Sequence, residues 1–323
     1  MKSYPQHPKL KHRIFIPKSS VKGHTDSDET PKYPLIIDIH GGGFALLNPS
    51  VDDKFNRPLC DENGFVVVSL DYYKSPQYPF PTALNILVET VLEILNDDSL
   101  PIDGEKVVLH GASAGASLAL GMAQHEELQG QIKGLVLWYP PVDATFDRSR
   151  NFQRYVDDPK RYEHAGKALP LKAIEQLTAL YLRKGTDLRD PRVSPRFCDA
   201  SDLPRAILTV GCEFDGLCEE ARIWMRELAG LKEEEDLGAV WDRDGKKWIM
   251  AEGEDHGEFL HYIFQVSPKQ IVVIFIRDRK RLLTDGGIGF DHGLGKTDKL
   301  AREEKADVVR KQVVDWLRKE VFH

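Results

Sequence analysis

Serine, glycine, acid and histidine recur along this chain at spacings that suit acyl transfer. The central stretch is Gly111-Ala112-Ser113-Ala114-Gly115, a G-x-S-x-G pattern. The apolar run before it, Val107 to Leu109, reads as a buried strand, and Ala116 to Met122 reads as a helix rich in Ala and Leu. Strand, sharp turn and helix is the context in which this pattern presents a nucleophile. The turn is tight, so the positions two before and two after the serine must be small, as Gly111 and Gly115 are. The helix start that follows directs unsatisfied N–H groups and the positive end of its dipole at the serine, where an alkoxide or a tetrahedral oxyanion is stabilised. Alone, the pattern equally fits small residues packed behind a strand, so a base, an acid and an oxyanion site are needed elsewhere.

The oxyanion site is expected at His40-Gly41-Gly42-Gly43-Phe44, about 70 residues upstream. Three glycines let the backbone turn its N–H groups toward one point with no Cβ in the way. Gly42, Gly43 and Ala114, the residue after the serine, are the expected donors. A phosphate loop of the Walker type would need Gly-Lys-Ser/Thr, which is absent. His40 is read as holding this loop rather than as a base. For the acid, Gly211-Cys212-Glu213-Phe214-Asp215-Gly216-Leu217 follows a strand, the place where an orienting carboxylate belongs; Asp215 is the choice and Glu213 its rival. For the base, Glu252-Gly253-Glu254-Asp255-His256-Gly257 follows the next strand, and His256 completes the order Ser…Asp…His.

The elements that must position these residues alternate. Strands are expected at 10–16, 33–40, 64–70, ahead of the serine, 133–138, 203–210 and 246–251, and helices at 82–95, 116–122, 171–182, 219–229 and 298–321. Pro101 to Gly104 is read as the loop before the serine strand. Such alternation implies an α/β fold with a mostly parallel, doubly wound sheet. From 143 to about 201 it breaks off in a charge-rich stretch, read as a helical cap inserted over the strand ends of one domain spanning 1–323. Tyr72, Tyr73, Phe44 and Trp138 are expected to line or support the pocket.

Composition narrows the function class. Hydrophobic residues make up 41% and charged residues 29% of 323, as in a globular protein, and the net charge of -7 with no basic stripe argues against nucleic acid. The polar start, Met1 to Lys11, has no signal-peptide core, and no apolar run is long enough to span a bilayer, so the expected location is cytoplasmic. Cys60, Cys198, Cys212 and Cys218 form no C-x-x-C pair; they are read as reduced packing residues rather than a zinc site. No cofactor or metal is expected.

Together with Tyr78-Pro79-Phe80-Pro81 and Asp190-Pro191-Arg192-Val193-Ser194-Pro195, these motifs occur in the order of the hormone-sensitive-lipase family of α/β-hydrolases, which the chain resembles over about residues 33–257. The resemblance implies a serine carboxylesterase acting on short- to medium-chain esters through Ser113, Asp215 and His256, with a small-molecule ester as its partner. Rival readings are a formamide, a lactone or a biosynthetic thioester as substrate, and a catalytically impaired ligand-binding protein on the same fold.

Two departures stand out. The family has a longer N-terminal segment that joins the cap; here about ten residues precede the first strand, which implies a more open site or a misassigned start codon. Residues 258–289 also separate His256-Gly257 from Phe290-Asp291-His292-Gly293, although joining Gly257 to Phe290 restores a family-like loop. This segment is read as a translated intron, against a genuine insertion. Gly257-Glu258-Phe259 permits a GTGAGT donor, Leu282-Leu283-Thr284 a CTAAC branch sequence and Gly287-Ile288-Gly289 an ATAG acceptor, in a phase that restores glycine. The insertion makes His292 a secondary candidate base, while His261 is read as part of the excursion.

Overall fold

Runs of β-branched and aliphatic residues become strands buried on both faces, the signature of a sheet covered by helices on either side. The computed structural model describes residues 1–18, 31–149, 171–232, 235, 237–254 and 296–322, the last segment by its backbone alone as far as 303. The described strands are β1 (Arg13–Phe15), β2 (Tyr33–Ile39), β3 (Val66–Leu70), β4 (Ile102–Ala112), β5 (Ile132–Trp138), β6 (Ala206–Cys212), β7 (Val240–Arg243) and β8 (Lys246–Ala251). They form one sheet in the order β1-β3-β2-β4-β5-β6-β8-β7. Every neighbouring pair is parallel except β1 with β3 and β7 with β8, at the two edges.

The helices are α1 (Asp53–Asp61), α2 (Thr82–Leu95), α3 (Ala114–Ala123), α4 (Leu171–Tyr181), α5 (Cys218–Leu228) and α6 (Lys296–Glu320). Alternation along the strands divides the core into two layers. Leu35, Ile37 and Ile39 of β2 pack with Leu87 of α2, Leu120 of α3 and Trp224 of α5. Ile36 packs on the other face with Phe55 of α1 and Val313, Trp316 and Leu317 of α6. The doubly wound, mostly parallel α/β sheet is therefore present as expected.

Three local differences have physical reasons. Pro101 to Gly104 is not all loop: β4 begins at Ile102, which pairs with Tyr33, and a register shift near Val107 absorbs the irregular start. Val240–Arg243 adds an unexpected edge strand, returned onto β8 by Asp244-Gly245 with φ of 47° and 75°, the geometry that an Asp-Gly hairpin favours. Pro49–Asp52 and α1 insert a 3-10 turn and a helix between β2 and β3.

Of 143–201, residues 143–149 and 171–201 are described. The Asp190–Pro195 motif ties this stretch together: Val193 and Ser194 donate N–H bonds to the Asp190 carbonyl at 2.8 Å. The buried Ser194 hydroxyl donates to the Leu188 carbonyl at 2.6 Å and accepts the Ala144 N–H at 2.8 Å. Residues 258–289, His256, His261 and His292 lie outside the described residues. No described helix is long and apolar enough to cross a membrane.

Candidate active site

The parallel strands β4, β5 and β6 end together, with Ala112 level with Trp138 and Trp138 level with Val210. Ser113 leaves β4 at that edge with φ 53° and ψ -120°, in the left-handed half of conformational space. Such a backbone costs of order 1–3 kcal/mol and persists only where its surroundings enforce it. Here the Ser113 N–H donates to the Trp138 carbonyl at 2.9 Å, and the Ser113 carbonyl accepts from Ala116 at 2.9 Å and Ser117 at 3.2 Å. Ser113 holds the N-cap position of α3, yet its side chain makes no capping bond. Sterics complete the turn: a Cβ on Gly111 would lie 2.5 Å from the Gly115 carbonyl oxygen, and one on Gly115 would lie 1.9 Å from that of Ile39.

The three-glycine loop leaves β2 directly beside this turn. A Cβ on Gly41 would sit 3.0 Å from the Ala112 carbonyl oxygen and 3.5 Å from the Ser113 Cβ. Gly42 and Gly43 have φ of 114° and 58°, and a Cβ on Gly42 would meet the Leu46 carbonyl oxygen at 2.4 Å. Among the described residues no acceptor is hydrogen-bonded to the N–H of Gly42 or Gly43. Ala114, the first residue of α3, has no acceptor four residues back within its helix.

His40 and Tyr72 hold this loop from below. The buried His40 donates from Nδ1 to the Gly41 carbonyl at 2.6 Å and stacks on Tyr72 with ring centroids 4.5 Å apart. The Tyr72 hydroxyl donates to the carbonyls of His40 at 3.2 Å and Gly41 at 3.4 Å. Burial, with Lys74 nearby, lowers the His40 pKa, which keeps the imidazole neutral. Burial acts to raise the Asp71 pKa, but Lys74, whose ammonium donates to Asp71 Oδ1 at 2.9 Å, helps to hold that carboxyl below the usual range. His40 is thus structural, as its position suggested. Tyr72 and Trp138 are both fully buried.

Above the loop lies α4, whose role periodicity alone did not disclose. A Cβ on Gly43 would come within 2.5 Å of Leu177 Cδ1, so Leu177 rests on the loop itself. Tyr181 stacks face to face on Phe44 with centroids 3.8 Å apart. Its carbonyl accepts the Phe80 N–H at 2.9 Å, which gives the Tyr78–Pro81 motif its anchor.

The two acids after β6 differ in use. Asp215 is 1% exposed and accepts the Leu217 N–H on Oδ1 at 3.0 Å, at the entrance to α5. Glu213 accepts the Gly253 N–H on Oε2 at 2.9 Å. The loop after β8 is stitched to the same place, because the Phe214 N–H donates to the Glu254 carbonyl at 2.9 Å. The segment that carries His256 therefore departs from a point bonded to the neighbour of Asp215. Among the described residues no three His, Cys, Asp or Glu gather as a metal site. The structure brings Ser113, Gly42, Gly43 and Ala114 into one corner and sets Asp215 at the same edge of the sheet.

A sequence profile of the alpha/beta hydrolase fold family matches residues 36–238. A protein named an esterase in Acinetobacter venetianus is 28% identical over 211 residues, 64% of this chain and 65% of its own; the match thus spans just under two thirds of that relative. An esterase of Pyrobaculum calidifontis superposes with a TM-score of 0.64 at 22% identity, over 94% of this chain and 81% of its own. A structure of fungal esterases from Rhizomucor miehei superposes with a TM-score of 0.63 at 21% identity, over 96% of this chain and 78% of its own.

Proposed function

The chain belongs to the alpha/beta hydrolase fold family, and from that premise we propose that it is a serine carboxylesterase of short- to medium-chain esters. The Ser113 hydroxyl attacks the ester carbonyl while His256 takes its proton. Asp215 orients the imidazole and stabilises its charge. The N–H groups of Gly42, Gly43 and Ala114 receive the oxyanion, each worth about 3–4 kcal/mol in the transition state. The proton passes to the leaving alkoxide, and water then hydrolyses the acyl-enzyme by the same relay. No cofactor takes part.

The observation that carries this proposal is the strained Ser113 backbone set against the three-glycine loop, with two loop N–H groups directed at no described acceptor. The stitching of Glu254 to Phe214 supports the histidine assignment, because the chain continues toward His256 from a point bonded to the neighbour of Asp215. Burial of Asp215 and the use of Glu213 on Gly253 favour Asp215 as the acid. We take 143–201 as the cap, because α4 places Leu177 and Tyr181 on the loop, which shortens the space for an acyl chain. We also take 258–289 as a translated intron; a gene sequence without GT and AG at the boundaries of this segment overturns that part alone.

The test is a series of p-nitrophenyl esters of rising chain length, hydrolysed by the wild type and by Ser113→Ala, His256→Ala and His292→Ala. The proposal expects a rate maximum at short or medium chains, abolished by the first two substitutions and spared by the third. Loss with His292→Ala and not His256→Ala reassigns the base. Saturable ester binding without turnover in the wild type identifies a ligand-binding protein instead.

A further inference from the structure

A chain of buried polar groups runs beneath the site, and the esterase chemistry does not use it directly. Asp38 lies on β2, two residues before His40, and His110 lies on β4, three residues before Ser113. The two are register partners across the sheet. His110 Nδ1 meets Asp38 Oδ1 at 2.7 Å, and the Trp138 indole N–H donates to His110 Nε2 at 2.7 Å. Trp138 is the residue whose carbonyl holds the Ser113 N–H.

Proton positions in this chain follow from donor chemistry. Indole nitrogen only donates, so His110 Nε2 is the bare acceptor and the proton sits on Nδ1, directed at Asp38. Asp38 Oδ2 accepts further from Asn56 Nδ2 at 2.6 Å and from the Ser69 hydroxyl at 2.5 Å. Burial acts to raise the Asp38 pKa, but these donors outweigh it and keep the carboxylate ionised. Asp52, beside it, is buried; burial, the Asp38 charge and a hydrogen bond to Asp38 push its pKa well up, so it stays neutral.

A buried carboxylate with no cation at its side among the described residues is an expensive way to fill a core, and well-packed apolar residues commonly do as well or better. What this chain adds is directional bonding between three strands. Their ends carry the glycine loop, the serine and the carbonyl that fixes the serine backbone.

We propose that His110, bridging Asp38 to Trp138, is a positioning residue that sets Ser113 against the oxyanion loop. The bridge fixes β2 against β4 on one side and the Trp138 carbonyl on the other. The distance from the serine oxygen to the donors on Gly42 and Gly43 is then set by bonds rather than by apolar packing, which tolerates small slips. No proton moves along the chain during turnover. This proposal rests on Ser113 as the nucleophile.

The experiment compares the wild type, Ser113→Ala, His110→Phe and His110→Asn on one p-nitrophenyl ester, with urea unfolding of each run in parallel. Asn keeps an amide donor for Asp38. The expected result is a kcat loss of at least tenfold in His110→Phe with KM within about twofold, and recovery of most of that loss in His110→Asn. Measurement is made where unfolding shows each protein folded. If His110→Phe does not fold, Trp138→Phe, which deletes the indole donor, takes its place with the same expected split. An unchanged kcat, a loss confined to KM, or equal losses in both His110 variants overturns the positioning role. Equal activity of the wild type and Ser113→Ala overturns the nucleophile assignment instead, so the two failures are distinguishable.

Discussion

Replacing Gly115 by Ala tests whether the glycine-flanked turn is what places the oxyanion loop. The new Cβ would lie 1.9 Å from the Ile39 carbonyl oxygen and 2.7 Å from that of His40. Ordinary contact begins near 3.4 Å, so β2 and α3 must part by about 1.5 Å, and both offending atoms are backbone. The displaced residues run straight into Gly41, Gly42 and Gly43. A misplacement of about 1 Å at a reacting centre costs on the order of a hundredfold, as does the loss of one oxyanion donor. Gly115→Ala is therefore expected to lose at least about a hundredfold in kcat, with about 1–3 kcal/mol of stability lost to overpacking. Gly121→Ala in the same helix is the control. Its Cβ would lie 3.1 Å from the tip of Leu84, a side chain that can give way, and helix propensity favours Ala by up to about 1 kcal/mol. Steady-state ester hydrolysis and urea unfolding of both variants supply the comparison. Wild-type turnover in a folded Gly115→Ala protein, or an equal loss in Gly121→Ala, refutes the steric reasoning.

Leu177→Ala opens the space over Gly43, and the preference for long over short acyl esters is expected to rise about tenfold in kcat/KM; an unchanged chain-length profile removes Leu177 from the pocket. Asp52→Asn addresses a carboxyl whose pKa is raised in the folded state by burial and by Asp38. The unfolded group ionises above its usual value of 3.8 while the folded one cannot, so the wild type loses stability as pH rises from there. The stabilisation given by Asn should accordingly be small near pH 4 and grow toward neutrality, read as the difference in urea midpoint; a difference that does not change with pH contradicts it. His12 is buried, which lowers its pKa from 6.5 to about 4 against the opposing pull of Asp71. Its contribution is present above pH 6.5 and lost as pH falls toward 4, about 3 kcal/mol in all. His12→Gln keeps an acceptor for the Asp71 N–H and should flatten that acid limb in unfolding curves measured between pH 4 and 7.

What could be read from the chain before its structure follows from which constraints are local. The serine turn is local: Gly111 and Gly115 are required by atoms within a few residues and by one neighbouring strand, so the pattern carries its geometry with it. The β-branched runs of β2, β3 and β5 are legible for the same reason, since burial on both faces leaves few alternatives to a parallel strand. The edge strand β7 is hard to see in the sequence because Val240–Arg243 is only four residues long and half charged, although Asp244-Gly245 is a usable hairpin signal. The start of β4 was hidden by Asp103 and Gly104, residues that ordinarily mark a turn. The Asp38–His110–Trp138 chain was not legible. Its members sit as single polar or aromatic residues in apolar runs, and only sheet register brings them together. The seat of Leu177 on Gly43 likewise depends on where α4 docks, which its periodicity does not encode.

The nucleophile is tested most directly by peptide mapping after reaction with a fluorophosphonate. The full chain, labelled and digested, should carry one phosphonyl group on the hydroxyl of Ser113, with no adduct when Ser113→Ala is treated in the same way. A protein that hydrolyses esters yet stays unmodified at Ser113, or bears the adduct on another residue, contradicts the assignment.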